Sequence, residues 1–311
     1  MPSEDFTIRS IESGKPGPSV LLSAGVHGDE YEPVLAALEL GELLPSILVC
    51  GDVSIVPIVN ESAYRLGSRY GEDKLDLARV CPGNAVGTTT ERAAYRISEH
   101  IRQADYYVDM HTGGLAYDIA PLAGYLLHPV KEILAKQQQM ALAFNLPIVW
   151  GTDATANGRT LSVARDANVP AIYVEYGGGS VFQPQVVEKY KAGFLNLLSS
   201  LKMINHPVGT LPADGRFWVE DYRRNSGYLQ IMMPSPSDGI FLPENNLGSF
   251  LKKGDRWGMV VNPLTGQRET VLVEQDGLAF LQRANCKVEK GDALGGILPI
   301  TKPGKIVIDG Q

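Results

Sequence analysis

The chain has 311 residues, 44% of them hydrophobic, enough to bury a large core as one big domain or as a big one plus a small one. Its formal net charge is -7, with acids and bases interspersed, which excludes the charge signature of a nucleic-acid-binding or anionic-membrane-binding protein. Cys50, Cys81 and Cys286 lie far apart, match no metal or redox spacing, and read as reduced thiols.

The N-terminal stretch MPSEDFTIRS lacks the basic-then-apolar pattern of a signal peptide, and no apolar run approaches membrane-spanning length. A soluble cytoplasmic protein is the expectation. SVLLSAGV (19–26) is a continuous apolar run, as in a strand buried on both faces. After the turn HGDE, Pro33 sits where a first helical turn tolerates it, and Val34, Leu35, Leu38 and Leu43 form an apolar stripe. DVSIVPIVN (52–60) reads as a second strand, followed by a loop rich in Gly, Arg and Asp that runs to CPGNAVG (81–87). The segment 88–104 opens with Thr88 and Glu91 at capping-box spacing and carries Ala94, Ile97 and Ile101 on one face. DYYVDMH (105–111) reads as a strand that ends at His111. A helix near 130–144, strands at 146–150 and 170–176, and a helix near 183–203 continue the alternation. The pattern predicts an α/β layered domain with a mostly parallel or mixed sheet.

From about residue 212 helical periodicity vanishes, and Gly and Pro punctuate short β-type runs. Residues 237–261 and 275–298 echo each other: Asp-Gly, a β run, a polar kink, Lys-Gly-Asp and another β run. Two such halves predict a small pseudo-symmetric all-β barrel or sandwich. The expected division is a catalytic domain over 1–208 and a β domain over 209–311.

His27 and Glu30 stand three apart on the turn after the first strand, and His111 ends another strand. Ligands collect at the carboxyl ends of strands in open α/β sheets. Two imidazoles and a carboxylate make a three-ligand zinc site with an open position, although an isolated H-x-x-E also fits an ordinary loop. Glu175, in IYVEYGGGS, closes an apolar strand, where a carboxylate is costly unless it is paired or used. Beside a zinc site it is placed to accept a proton from water; the alternative is a capping acid at a Gly-rich turn. Arg65, Arg69 and Arg79 in the 60–83 loop suit a scissile carbonyl or a substrate carboxylate. The acids around them equally suit a solvated, salt-bridged loop. Asp109 shares the face of His111, placed to meet substrate or to orient that ligand. His128 and His206 lack any such context and read as structural.

Four segments in order, AGVHGDE, NESAYRLGSRY…LDLARVCPG, TERAAYRISEHIRQADYYVDMHTGG and VEYGGG, resemble the succinylglutamate desuccinylase/aspartoacylase family of the zinc carboxypeptidase clan. The likeness covers roughly residues 20 to 200, and the trailing β segment is similar to the appended β domain of bacterial members. The resemblance implies a zinc-carboxypeptidase-like α/β/α sandwich with a mixed sheet, and one zinc held by His27, Glu30 and His111. It also implies Glu175 as general base and acid, Arg69 as the arginine that polarises the carbonyl, and Arg79 as the arginine that binds a substrate carboxylate. Members usually read Asp-Leu-Asn-Arg where this chain has Ala78 in place of the Asn.

The expected activity is zinc-dependent hydrolysis of the amide of a small N-acyl amino acid or related N-acylated amine. A carboxypeptidase acting on short peptides is the rival within the same chemistry. A non-catalytic binding or carrier protein is the rival outside it. Carrier domains of the biotinyl/lipoyl type present a lysine at the hairpin between their halves, and the corresponding tip near Thr265–Gln267 has none. The expected partner is a small-molecule substrate, with a homo-oligomer open and neither nucleic acid nor membrane expected.

Overall fold

A computed structural model of the chain describes residues 6–207, 209, 211 and 215–310. In chain order the first elements are β1 (Arg9–Glu12), β2 (Ser19–Ser23), α1 (Tyr31–Leu43), β3 (Asp52–Val56), α2 (Glu61–Leu66), α3 (Leu77–Val80), α4 (Thr89–Gln103) and β4 (Tyr106–His111). Next come β5 (Tyr117–Leu126), α5 (Lys131–Phe144), β6 (Ile148–Thr152), α6 (Thr160–Asp166), β7 (Ala171–Gly178) and α7 (Pro184–Ser200). The remainder is β-rich: β8 (Phe217–Asp221), β9 (Gly239–Pro243), β10 (Phe250–Leu251), β11 (Arg256–Val261) and β12 (Arg268–Leu272). It closes with β13 (Gly277–Arg283), β14 (Lys287–Val288), β15 (Gly295–Leu298) and β16 (Gly304–Ile308). Among the described residues no helix is long and apolar enough to cross a membrane.

Side chains alternate across a strand, so a strand buried on both faces must be apolar throughout. β2 shows this directly. Val20 and Leu22 pack with Ala36, Ala37 and Leu40 of α1, Phe144 of α5 and Phe194 of α7. Leu21 faces the other way, onto Ala93, Ile97 and Ile101 of α4 and Leu161 and Val163 of α6. The result is an α/β/α sandwich around one large mixed sheet, ordered β1-β3-β2-β4-β7-β5-β6-β8-β16. β2, β3, β4 and β7 are mutually parallel neighbours, so their carboxyl ends share one edge of the sheet.

The β-rich remainder does two things. β8 adds parallel to β6, β16 adds to β8, and β13 pairs antiparallel with β5, all within the large sheet. β12, β11, β9 and β14 form a separate four-stranded antiparallel sheet over a core of Phe241, Trp257, Val260 and Val271. The expected boundary at 208/209 touches residue 208, which lies outside the described residues.

The structure departs from the expected elements in the loop at 60–83, which holds two short helices. Asn60 starts α2 by accepting from the Ala63 N–H at 3.1 Å, and Gly67, at φ 57, stops it. Asp76 starts α3 by accepting from the Ala78 N–H at 2.9 Å. β1, β5 and α6 are likewise additional to the expected set. In β5, Pro121 and Gly124 interrupt the pattern by which strands are read. The capping box of α4 forms as spaced, with the Thr88 N–H donating to Glu91 at 2.8 Å.

Candidate metal centre and active site

His27 and Glu30 lie on the turn that leaves β2, with Glu30 as the residue preceding the first turn of α1. The turn runs against α2, and Gly28 makes that approach possible. A Cβ on Gly28 would stand 2.0 Å from the Ala63 carbonyl carbon and oxygen, so only hydrogen fits. The Gly28 N–H also donates to the Ser68 carbonyl at 2.9 Å, which fixes the turn. His111 is the last residue of β4. His27 Nδ1 lies 2.6 Å from Glu30 Oε1, and His111 Nδ1 lies 3.0 Å from Glu30 Oε2. One ligand atom from each of the three residues falls within 4.8 Å of the others, and all three side chains are buried.

The far nitrogens of both rings are held by carboxylates. His27 Nε2 lies 3.3 Å from Asp76 Oδ1, and His111 Nε2 lies 3.1 Å from Asp109 Oδ2. Each imidazole therefore turns Nδ1 toward a common point while an acid fixes its tautomer and orientation, the support that metal-ligating histidines require. Asp109 in turn accepts from Ser23 Oγ at 2.8 Å and Thr160 Oγ1 at 2.5 Å. Asp76 accepts from Arg69 Nε at 2.9 Å.

Charge balance points the same way. Burial opposes ionisation of Glu30, but the two imidazoles outweigh it and hold its carboxyl at about 2. Burial likewise opposes ionisation of Asp76, and the His27 contact with the neighbouring arginines brings it well below the usual carboxylate range. Against burial, Asp109 and Glu30 push His111 well above its ordinary value. Two buried carboxylates, Glu30 and Asp109, and the part-buried Asp76 surround the two imidazoles, a concentration of negative charge that suits a divalent cation. The donor set of two nitrogens and a carboxylate fits such a cation.

Glu175 on β7 is paired in register with His111 on β4. Its Oε2 is buried and, among the described residues, has no hydrogen-bond partner. Burial is the main reason its carboxyl is pushed up to about 8; Glu30 and Asp109 add to the shift, and His111 and Arg69 oppose it. A carboxyl that titrates near neutrality and keeps an oxygen unpaired is equipped to exchange protons with a bound molecule. His27, Glu30, His111, Glu175, Arg69 and Arg79 all line one cavity of about 100 Å³.

A model of the succinylglutamate desuccinylase/aspartoacylase catalytic domain matches residues 16–201, more than half of the chain. The chain belongs to that family. Over 297 residues it is 29% identical to the N-alpha-acetyl-L-2,4-diaminobutyric acid deacetylase of Halomonas elongata, covering 92% of this chain and 83% of the relative. A shorter match, 33% over 108 residues and 30% of each chain, joins it to the succinylglutamate desuccinylase of Burkholderia thailandensis. Among solved structures, the succinylglutamate desuccinylase/aspartoacylase of Rhodobacter sphaeroides superposes with a TM-score of 0.83 at 26% identity, covering 94% of this chain and 88% of that one. The product-bound ectoine utilization protein EutE (DoeB) of Ruegeria pomeroyi gives a TM-score of 0.84 at 26% identity, covering 93% and 87%. The family's named relatives here are deacylating enzymes, and its fold accounts for both the mixed sheet and the β-rich remainder.

Asp109 and Arg65, the other two candidates from the sequence, stand in different places. Asp109 borders the cavity, and its oxygens are engaged by His111, Ser23 and Thr160, which places it to orient the His111 ring. Arg65 is not at the cavity: its side chain is 77% exposed on α2 and pairs with Glu61 at 3.2 Å. Asp76, Arg159 and Gln230 reach the site without having been singled out in the sequence. Asp76 sits in the acid-rich loop, where a ligand-orienting carboxylate looks like any solvated one. Arg159 immediately precedes α6 and Gln230 stands on the one-turn segment Leu229–Ile231, both too local for any periodicity to mark them.

Proposed function

We propose that this chain is a zinc-dependent amidohydrolase that removes the acyl group from a small N-acyl amino acid or a related N-acylated amine. The observation that carries the reading is Glu175, an unpaired buried carboxyl beside the His27–Glu30–His111 cluster in one cavity. His27, Glu30 and His111 would hold a zinc ion, which would supply Lewis acidity for the acyl carbonyl and for water. Glu175 takes a proton from the attacking water and later delivers it to the departing nitrogen, so its carboxyl ends the cycle as it began. Arg69, kept in place by Asp76, donates to the carbonyl oxygen as negative charge develops there. Arg79, on the cavity wall, receives the substrate carboxylate.

A small substrate is favoured over a peptide because the cavity, bordered also by Gly227, Leu229 and Gln230 from the segment after β8, holds only about 100 Å³. The whole-length similarity to a deacetylase supports an acylated amino acid as the substrate class. The test is amine release from N-acetyl, N-formyl and N-succinyl amino acids by zinc-loaded protein. Hydrolysis that stops on chelation and returns with zinc is expected. Release of C-terminal residues from short peptides in preference to deacylation would overturn the reading in favour of a carboxypeptidase.

A further inference from the structure

We infer that Gln230 is a specificity residue of this site, its side-chain NH2 donating to the substrate carboxylate beside Arg79. The inference rests on the reading of the site as a deacylase of N-acyl amino acids. Gln230 lies in the turn Leu229–Ile231, 151 residues along the chain from Arg79 on α3. Arg79 Nη2 donates to Gln230 Oε1 at 3.0 Å, and Arg79 Nη1 donates to the Ala78 carbonyl at 2.7 Å.

A guanidinium has donors and no acceptor, so the Gln230 atom facing it must be the amide oxygen. That contact orients the side chain and leaves its NH2 free: among the described residues this group has no hydrogen-bond partner. Ala78, Arg79 and Gln230 border the same cavity, and Ala78 offers only a methyl group there. Arg159 borders it too, with its guanidinium 4.4 Å above the ring of Tyr228, two residues before Gln230. Two guanidiniums and an unpaired amide donor at one end of a small cavity complement a carboxylate. The choice of a neutral amide supports this over a purely structural role. A glutamate would grip Arg79 more strongly, but it would also cancel the charge that attracts the substrate. Glutamine holds the arginine while leaving its charge available and adds a donor of its own.

The test compares N-acetyl amino acids with their C-terminal carboxamides, using zinc-loaded wild type, Gln230→Ala, Gln230→Glu and the double variant Gln230→Ala with Ala78→Asn. Losing one hydrogen bond to a charged group should raise KM for the free acids about tenfold, with a smaller change in kcat and in KM for the carboxamides. Gln230→Glu should raise KM for the acids further, because the new charge repels them. Ala78→Asn should return much of the loss, since it restores an amide donor beside Arg79. Equal effects on acids and carboxamides, or no effect on either, would overturn the role of Gln230. If wild type with one zinc per chain deacylates nothing, the deacylase reading fails instead. Calorimetric binding of the free amino acids and their amides to wild type and Gln230→Ala then still decides the carboxylate contact.

Discussion

Glu175 shows how much one strand position can determine. Parallel pairing sets it against His111, and in the metal-free protein burial pushes its carboxyl up to about 8, within reach of both protonation states near neutrality. Replacement by Gln preserves size and hydrogen bonding but removes the proton acceptor. The Glu175→Gln variant should keep its zinc and lose at least ~10²-fold in kcat, the scale of a positioned general base. Near-normal turnover would assign the role elsewhere. The same residue gives a stability signature in the metal-free protein. Its carboxyl is raised from 4.5 to about 8 on folding, so the stabilising protonated form is fully present below the lower value and lost as pH rises through the higher one. Glutamine has no such loss. Urea unfolding between pH ~5 and pH ~9 should therefore show the variant gaining on wild type as pH rises. At this scale the sequence was informative where a costly residue had no cheap explanation. A carboxylate closing an apolar strand demanded a use, whereas Asp76, in a polar loop, and Gln230, a lone amide on a short 3-10 turn, demanded none.

Among the elements, the strand ends position the chemistry, and the turns between them set its tolerances. His27 and Glu30 reach the same point as His111 because β2 and β4 are adjacent and parallel, and because Gly28 lets the first turn pass against α2. Gly28→Ala places a methyl 2.0 Å from backbone atoms of Ala63, and backbone cannot rotate away as a side chain does. Either the turn, which carries His27 and leads to Glu30, or α2, which leads to Arg69, must shift. The variant should bind zinc at least about tenfold more weakly, the scale on which metal sites respond to lost orientation, and should melt at lower temperature. Zinc titration and thermal unfolding check this, and unchanged affinity would mean that the contact is loose. The turn was legible in sequence as a glycine between two polar residues, and the strands as apolar runs ending in histidine or glutamate. The helices α2 and α3 were not, since they are too short to show periodicity and rest on single capping side chains, Asn60 and Asp76. For the same reason the spacing alone does not turn Arg65 outward; α2 does.

Over the whole molecule, the echo between residues 237–261 and 275–298 predicts a small pseudo-symmetric β barrel or sandwich, and pairing registers join strands of the β-rich remainder to the α/β part. β8 pairs with β6 from Ile148↔Phe217 to Gly151↔Glu220, and β13 pairs with β5 at Leu281↔Ile119. Trp150 of β6 packs edge-on to Phe280 of β13 at 5.1 Å between ring centroids. Tyr125 of β5 donates to Glu220 of β8 at 2.8 Å. Ile119, Leu122 and Ile148 share a core with Val219, Leu278 and Leu298. Internal repetition reports local likeness, whereas such cross-pairing depends on contacts distant in sequence, which no local pattern records. A core common to both parts predicts that the full chain unfolds in one transition. Zinc at about 100 times its Kd should raise the stability of that whole transition by about 2.7 kcal/mol. A fragment of residues 1–208 would leave β6 as an open edge and uncover Trp150, so it should aggregate and bind no zinc. Calorimetry of the full chain and zinc binding by the fragment decide the matter. Two resolved transitions, with only one responding to zinc, would show that the α/β part and the β-rich remainder fold independently.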